Sequence, residues 1–209
     1  QIFVSRRSGR LWGEPKQLAL GGDSTSVIGN PALSPSELTI FYSADLKGGQ
    51  GGKDLWMASR KTPADPFGKP FNLGPVVNTP GDEMFPFMRN DTMLYFSSNG
   101  HPGMGGLDIF RTTFSRGAWT KPTNLQFPMN SSGDDFSIIF NPEEDKGFMA
   151  SNRKGTKGSD DIYAFVNPPL LYTLQGVVKD DRTLQFIPGA SVKLVGSDGT
   201  AVEGKTDPK

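Results

Sequence analysis

The chain has 209 residues, with 22 acidic and 22 basic side chains. That balance gives no footing for binding nucleic acid or an anionic membrane surface. The absence of cysteine excludes disulfides, thiol catalysis and thiolate metal sites, and no apolar run approaches the roughly 20 residues of a membrane-spanning helix, so the chain is not expected to span a bilayer.

The predicted elements are all strands. Residues 1–20 read as the last two strands of a four-stranded unit, carrying Gln1-Ile2-Phe3 and Trp12 with Pro15. Residues 31–74 read as a complete unit. Phe41-Tyr42-Ser43-Ala44 forms its second strand, Asp45 and a stretch with Gly51-Gly52 follow, and Asp54-Leu55-Trp56 opens the third. Residues 84–127 repeat the plan. Strands are expected at 84–88, 93–97 and 108–114, with a weaker outer one at 123–127 and an Asn90-Asp91 turn. Residues 136–166 supply three strands and then reach Asn167-Pro168-Pro169, a stiff boundary because proline lacks the N–H donor. Beyond it, 171–179 and 190–195 read as strands, with Ser197-Asp198-Gly199 as a turn signal. Residues 173–178 are expected to bury one face against Ala190, Val192 and Leu194.

The units are copies. Gln1-Ile2-Phe3, Asp54-Leu55-Trp56, Asp108-Ile109-Phe110 and Asp161-Ile162-Tyr163 recur at steps of 53, 54 and 53 residues. A second signature opens the units: Asn78-Thr79-Pro80-Gly81-Asp82-Glu83 and Asn130-Ser131-Ser132-Gly133-Asp134-Asp135. Four strands at a period near 50 residues indicate propeller blades, none of which buries a core alone. The expected class is therefore all-β: four-stranded β-propeller blades over 1–167, then the start of a β-sandwich over 168–209. An outer strand for the last blade is expected from chain upstream of Gln1, closing the ring, and the tail is expected to continue, so the sequence reads as a fragment.

Asp54, Asp108 and Asp161, with Gly51, Gly105 and Gly158, read as structural repeat residues. An acid after a glycine loop can accept that loop's N–H groups, and a catalytic residue is usually needed once. The paired acids, among them Asp82-Glu83 and Asp134-Asp135, invite a glycosidase reading. Neighbours in a strand point to opposite faces, however, so inter-blade turns fit better. His101 is the sole histidine; alone it supplies neither a typical zinc site nor a Ser-His-Asp assembly. The gapless alignment sets Lys47 and Lys154 at its position. Lys47, His101, Met104 and Lys154 are thus the candidate partner-binding loop, with His101 read as a solvated tip; Phe127 and Met129 are further contact candidates. No cofactor, metal or catalytic set is expected.

The loop Ser98-Asn99-Gly100-His101-Pro102-Gly103-Met104-Gly105-Gly106-Leu107-Asp108-Ile109-Phe110 resembles the WD-like, TolB-type propeller repeats of OmpA-family outer-membrane lipoproteins in Bacteroidota. The tail is similar to a carboxypeptidase-regulatory-like domain in Leu174-Gln175-Gly176-Val177-Val178, Ile187-Pro188-Gly189-Ala190-Ser191-Val192 and Gly204-Lys205-Thr206-Asp207. The resemblance implies a non-catalytic periplasmic scaffold at the outer membrane, in a family that includes a component of the type IX secretion machinery. Its implied partners are envelope or secretion-machinery proteins, with peptidoglycan bound only through a domain outside this sequence. The alternative is a carbohydrate-binding or glycan-hydrolysing propeller.

Overall fold

A computed structural model describes residues 1–155, 157–167, 175–196 and 199–207. The chain divides into two compact units, Gln1–Pro168 and Pro169–Lys209. The described residues contain strands, turns and bends and no helix.

The first unit is a series of antiparallel sheets. It opens with β1 (Phe3–Val4), β2 (Arg7–Ser8), β3 (Leu11–Trp12) and β4 (Lys16–Gln17); β1 pairs with β4, and β2 with β3. A four-stranded meander follows: β5 (Ile28–Leu33), β6 (Thr39–Ala44), β7 (Asp54–Ser59) and β8 (Phe71–Asn72). The next sheet has β9 (Glu83–Asn90), β10 (Met93–Ser98) and β11 (Asp108–Ser115), with β12 (Ala118–Trp119) and β13 (Thr123–Asn124) both on β11. The last has three strands, β14 (Asp135–Phe140), β15 (Lys146–Ser151) and β16 (Asp161–Val166). The innermost strand β9 lies beside β5 on one side and β14 on the other. That is the arrangement of consecutive propeller blades; no closed ring forms among the described residues.

The cores lie between blades, as period-two alternation dictates. On β6, Ile40, Tyr42 and Ala44 join Ile2, Leu20 and Trp56 in a cluster shared with the opening strands. Phe41 points the other way and joins Leu55, Met88, Leu94, Phe96 and Phe110. Tyr95 and Ile109 join Ile138 and Met149 in the next cluster. The two middle sheets thus bury both faces against neighbours, while the last sheet leaves Ile139, Phe148 and Ile162 exposed on its outer face.

The inner strands β5, β9 and β14 share a bulge at the same place, and β9 has a second irregularity at Arg89. Asn30 and Pro31 oppose the single residue Tyr42; Phe85 and Pro86 oppose Phe96; Ser137 and Ile138 oppose Met149. The first bulged residue is left-handed each time, with φ of 49° at Asn30, 53° at Phe85 and 57° at Ser137. A bulge breaks the ladder locally, so proline costs no hydrogen bond at Pro31 and Pro86. Phe85 is an unusual residue for that conformation; its ring packs on Phe136 of the next blade with centroids 5.0 Å apart.

Three expectations need correction. The outer strand expected at 123–127 stops at Asn124, because Gln126 turns to φ 62°. Two short pieces have no counterpart in the expected elements: the hairpin β2–β3, a sheet by itself, and β12, which folds back on β11. In the second unit, residues 171–174 of the expected strand 171–179 lie outside the described residues. Residues 175–178 are not in a strand, and Lys179 makes one bridge to Phe186. The strand expected at 190–195 forms as β17 (Ser191–Val195) and pairs in a hairpin with β18 (Ala201–Lys205), but Val192 and Leu194, expected to be buried, are exposed. One hairpin is not yet two facing sheets.

Candidate functional site

The repeated acids close their own glycine loops, and at two junctions the loops meet the next blade. Asp54 is 1% exposed and accepts the N–H groups of Gln50 (2.5 Å) and Gly51 (3.2 Å) and the amide of Asn72 (2.8 Å). Asp108 accepts Met104 N–H at 2.7 Å and Gly105 N–H at 3.1 Å, and half-buried Asp161 accepts Lys157 N–H at 2.5 Å. The carboxylate therefore closes its own glycine loop onto the start of the third strand. In the third blade the Asn124 amide nitrogen and Asp108 Oδ1, the counterparts of Asn72 and Asp54, make no hydrogen bond although both are buried.

The second signature is a clasp onto the preceding blade. Asn78 is fully enclosed; its Oδ1 accepts Leu55 N–H at 2.8 Å while its amide donates to Leu55 O at 3.1 Å and Asn72 Oδ1 at 3.0 Å. Asn130 repeats these bonds on Ile109 and Asn124 at 2.8, 2.9 and 2.8 Å. Asp82 Oδ1 takes Lys53 N–H at 2.7 Å, and Asp134 Oδ1 takes Leu107 N–H at 2.8 Å. Glu83 and Asp135, both unexposed, accept from Thr79 and Ser98 and from Ser131 and Ser151. Burial pushes the Glu83 carboxyl above its ordinary value, opposed by the Ser98 and Thr79 hydrogen bonds and by His101. Gly51 and Gly105 belong to the same seam, and Gly158 does not. A Cβ on Gly51 would overlap the Thr79 carbonyl oxygen, and one on Gly105 the Gly133 carbonyl oxygen; beside Gly158 the nearest atom lies at 3.9 Å.

The first junction lacks this clasp. Asp23, Val27 and Ile28 stand where the later blades have Asn, Asp and an acid, and the exposed Asp23 carboxylate turns back to Thr25, whose hydrogen bonds hold it below the usual range. A cleft of about 130 Å³ between Ile2, Leu20 and Asp23 occupies that junction.

His101 is not the solvated tip expected from the alignment. It is half-buried, its Nε2–H donates to Val77 O at 2.7 Å, and its ring meets Phe110 and Phe96 with centroids at 5.2 and 6.0 Å. Its structural counterpart is Arg153, which donates to Met129 O at 2.8 Å, Pro128 O at 3.0 Å and Asp135 Oδ1 at 2.6 Å. Lys47, Met104 and Lys154 are exposed on the glycine loops. Because His101 and Arg153 bind the turns that carry Val76 and Phe127, those exposed side chains lie beside the same loops; Phe127 is 75% exposed. Val76 and Arg153 are not among the residues that the repeat pattern singles out. The signal for Arg153 was the acid it binds, Asp135, rather than its aligned position.

No family model matches the chain, and no curated protein matches it. Among solved structures, a puromycin-hydrolysing peptidase of Mycobacterium tuberculosis is similar over 92% of this chain at 13% identity and a TM-score of 0.47. A post-proline cleaving enzyme from Rickettsia typhi is similar over 96% of it at 12% identity and a TM-score of 0.41. The chain spans 28% of the length of each. Neither likeness assigns an activity to it.

Proposed function

We propose that the chain is a non-catalytic binding scaffold at the periplasmic face of the outer membrane, engaging envelope proteins and, by its resemblance, the type IX secretion machinery. One observation carries the reading. The repeated acids that would serve a hydrolase are consumed as acceptors within loops and between blades, while the neighbouring rim leaves Lys47, Val76, Met104, Phe127 and Lys154 exposed. Exposed apolar side chains among cations on one rim suit a protein surface. The tail is proposed, by its resemblance, as a carboxypeptidase-regulatory-like module. The test is affinity capture from envelope extracts with the whole chain as bait, alongside a variant with Met104→Asp and Phe127→Asp. Recovery of secretion-machinery proteins by the first and not the second supports the reading. Glycan binding or hydrolysis by both, with no protein recovered, overturns it in favour of a carbohydrate-directed propeller.

A further inference from the structure

We propose that the outer face of the last sheet docks the opening strands of a second copy of this chain, head to tail. The same interface already recurs inside the molecule. On the second blade, Phe41 and Leu55 are covered by Phe110 of the third blade and by Trp119, whose ring centroid lies 6.0 Å from that of Phe41. Phe148 and Ile162 hold the positions of Phe41 and Leu55 on the last sheet. Phe148 stands opposite Ala164 as Phe41 stands opposite Met57, and Ile162 opposite Ala150 as Leu55 opposite Ser43. Phe41 is 3% exposed and Leu55 0%, whereas Phe148 is 52% exposed and Ile162 79%. An apolar groove of about 280 Å³ adjoins Phe148, between Ile139, Ala164 and Val166.

The side chains that fit this face are presented by the same chain. β1 pairs with β4 as β11 pairs with β13, Phe3 opposite Gln17 as Phe110 is opposite Asn124. The β2–β3 hairpin sets Arg7 opposite Trp12 as Phe114 stands opposite Trp119. Phe3 and Trp12 are thus the counterparts of Phe110 and Trp119, and they are 57% and 67% exposed. The charges agree. Exposed Arg6, Arg7 and Arg10 lie on or beside that hairpin, and Glu143, Glu144 and Asp145 lie on the turn at the corresponding end of the last sheet, where Lys146 and Arg89 pair with the last two acids. The two faces differ, so the contact is heterologous and passes from copy to copy. Met88, Leu94 and Phe96, which complete the cover on the second blade, come from β9 and β10, whereas the opening strands correspond to β11–β13 alone. The contact is therefore smaller than a junction between blades, with a dissociation constant on the order of 100 μM.

Sedimentation velocity on the whole chain tests this. The weight-average sedimentation coefficient should rise between about 10 and 500 μM protein. Trp12→Glu and Phe148→Glu each spoil one of the two faces. Both side chains are exposed, so each variant should keep the parent's urea midpoint, and each alone should stay monomeric. Mixed, the two variants retain one intact face apiece and should form a 1:1 dimer that grows no further. Phe3→Glu with Ile162→Glu is a second pair, expected to behave in the same way. The proposal is overturned if the parent stays monomeric over the whole range, if either variant alone associates as the parent does, or if the mixture stays monomeric while the parent associates. Capture of a different protein on Phe148 by a monomeric parent overturns it as well.

Discussion

Three glycines hold the same place in the repeat, yet the structure gives them different fates on substitution by alanine. At Gly105 the new Cβ would overlap the Gly133 carbonyl oxygen and come within 2.7 Å of Ser131 O and 2.9 Å of Ser132 C. These are backbone atoms of the next blade's clasp, so no side-chain rotation relieves the overlap. Displacing them costs about 1–3 kcal/mol as overpacking, and the adjacent Gly106 N–H to Gly133 O bond of 3.2 Å adds about 1 kcal/mol if it breaks. Alanine returns about 0.4–1 kcal/mol by stiffening the unfolded chain. The net expectation is a loss of about 1–3.5 kcal/mol for Gly105→Ala, and similarly for Gly51→Ala. At Gly158 the nearest atom is 3.9 Å away, so Gly158→Ala should stay within about 0.5 kcal/mol of the parent. Urea unfolding with a common m-value measures all three. Equal losses at Gly105 and Gly158 would refute the argument that inter-blade approach, rather than loop conformation, demands glycine.

Gln126 sits at φ 62° where the preceding blade has Gly74 at φ 82°, and its side chain is exposed. Gln126→Gly should therefore stabilise the chain by about 0.5–1 kcal/mol in the same assay, a left-handed cost relieved against the entropy of glycine; a loss would contradict it. Glu83 has its folded pKa raised by burial, so its contribution is fully present below the unfolded value and is lost as pH rises through the folded one. The urea midpoint of the parent should consequently fall relative to Glu83→Gln as pH rises from about 4.5. A rise of the parent over the variant across that interval would reverse the sign and defeat the assignment.

The period of the fold was legible because the same backbone problem is solved with the same residues each time. An acid caps the glycine loop, and an asparagine with two acids clasps the previous blade; both solutions need particular side chains. The inner-strand bulges were not legible, since Asn30, Phe85 and Ser137 share a conformation without sharing chemistry. The two-residue strands β2, β3 and β12 are too short to show alternation. His101 and Arg153 were separated by a gapless alignment because their side chains differ in length and reach the same carbonyl position from adjacent places in the loop. In the tail, alternation at 171–179 suggested a strand whose described part pairs only through Lys179.

The central claim is that the repeated Asn-Ser/Thr-x-Gly-Asp-acid signature is a seam between blades. Amide exchange at Leu55 and Ile109 in Asn130→Ala tests it most directly. Each N–H is held by the side chain of its clasp asparagine, Asn78 or Asn130, at 2.8 Å, and both residues are fully buried. The account predicts that the substitution speeds exchange at Ile109 by about tenfold or more beyond its effect on Leu55, the worth of one buried hydrogen bond left unmade. Equal acceleration at the two amides, or none at Ile109, would contradict it.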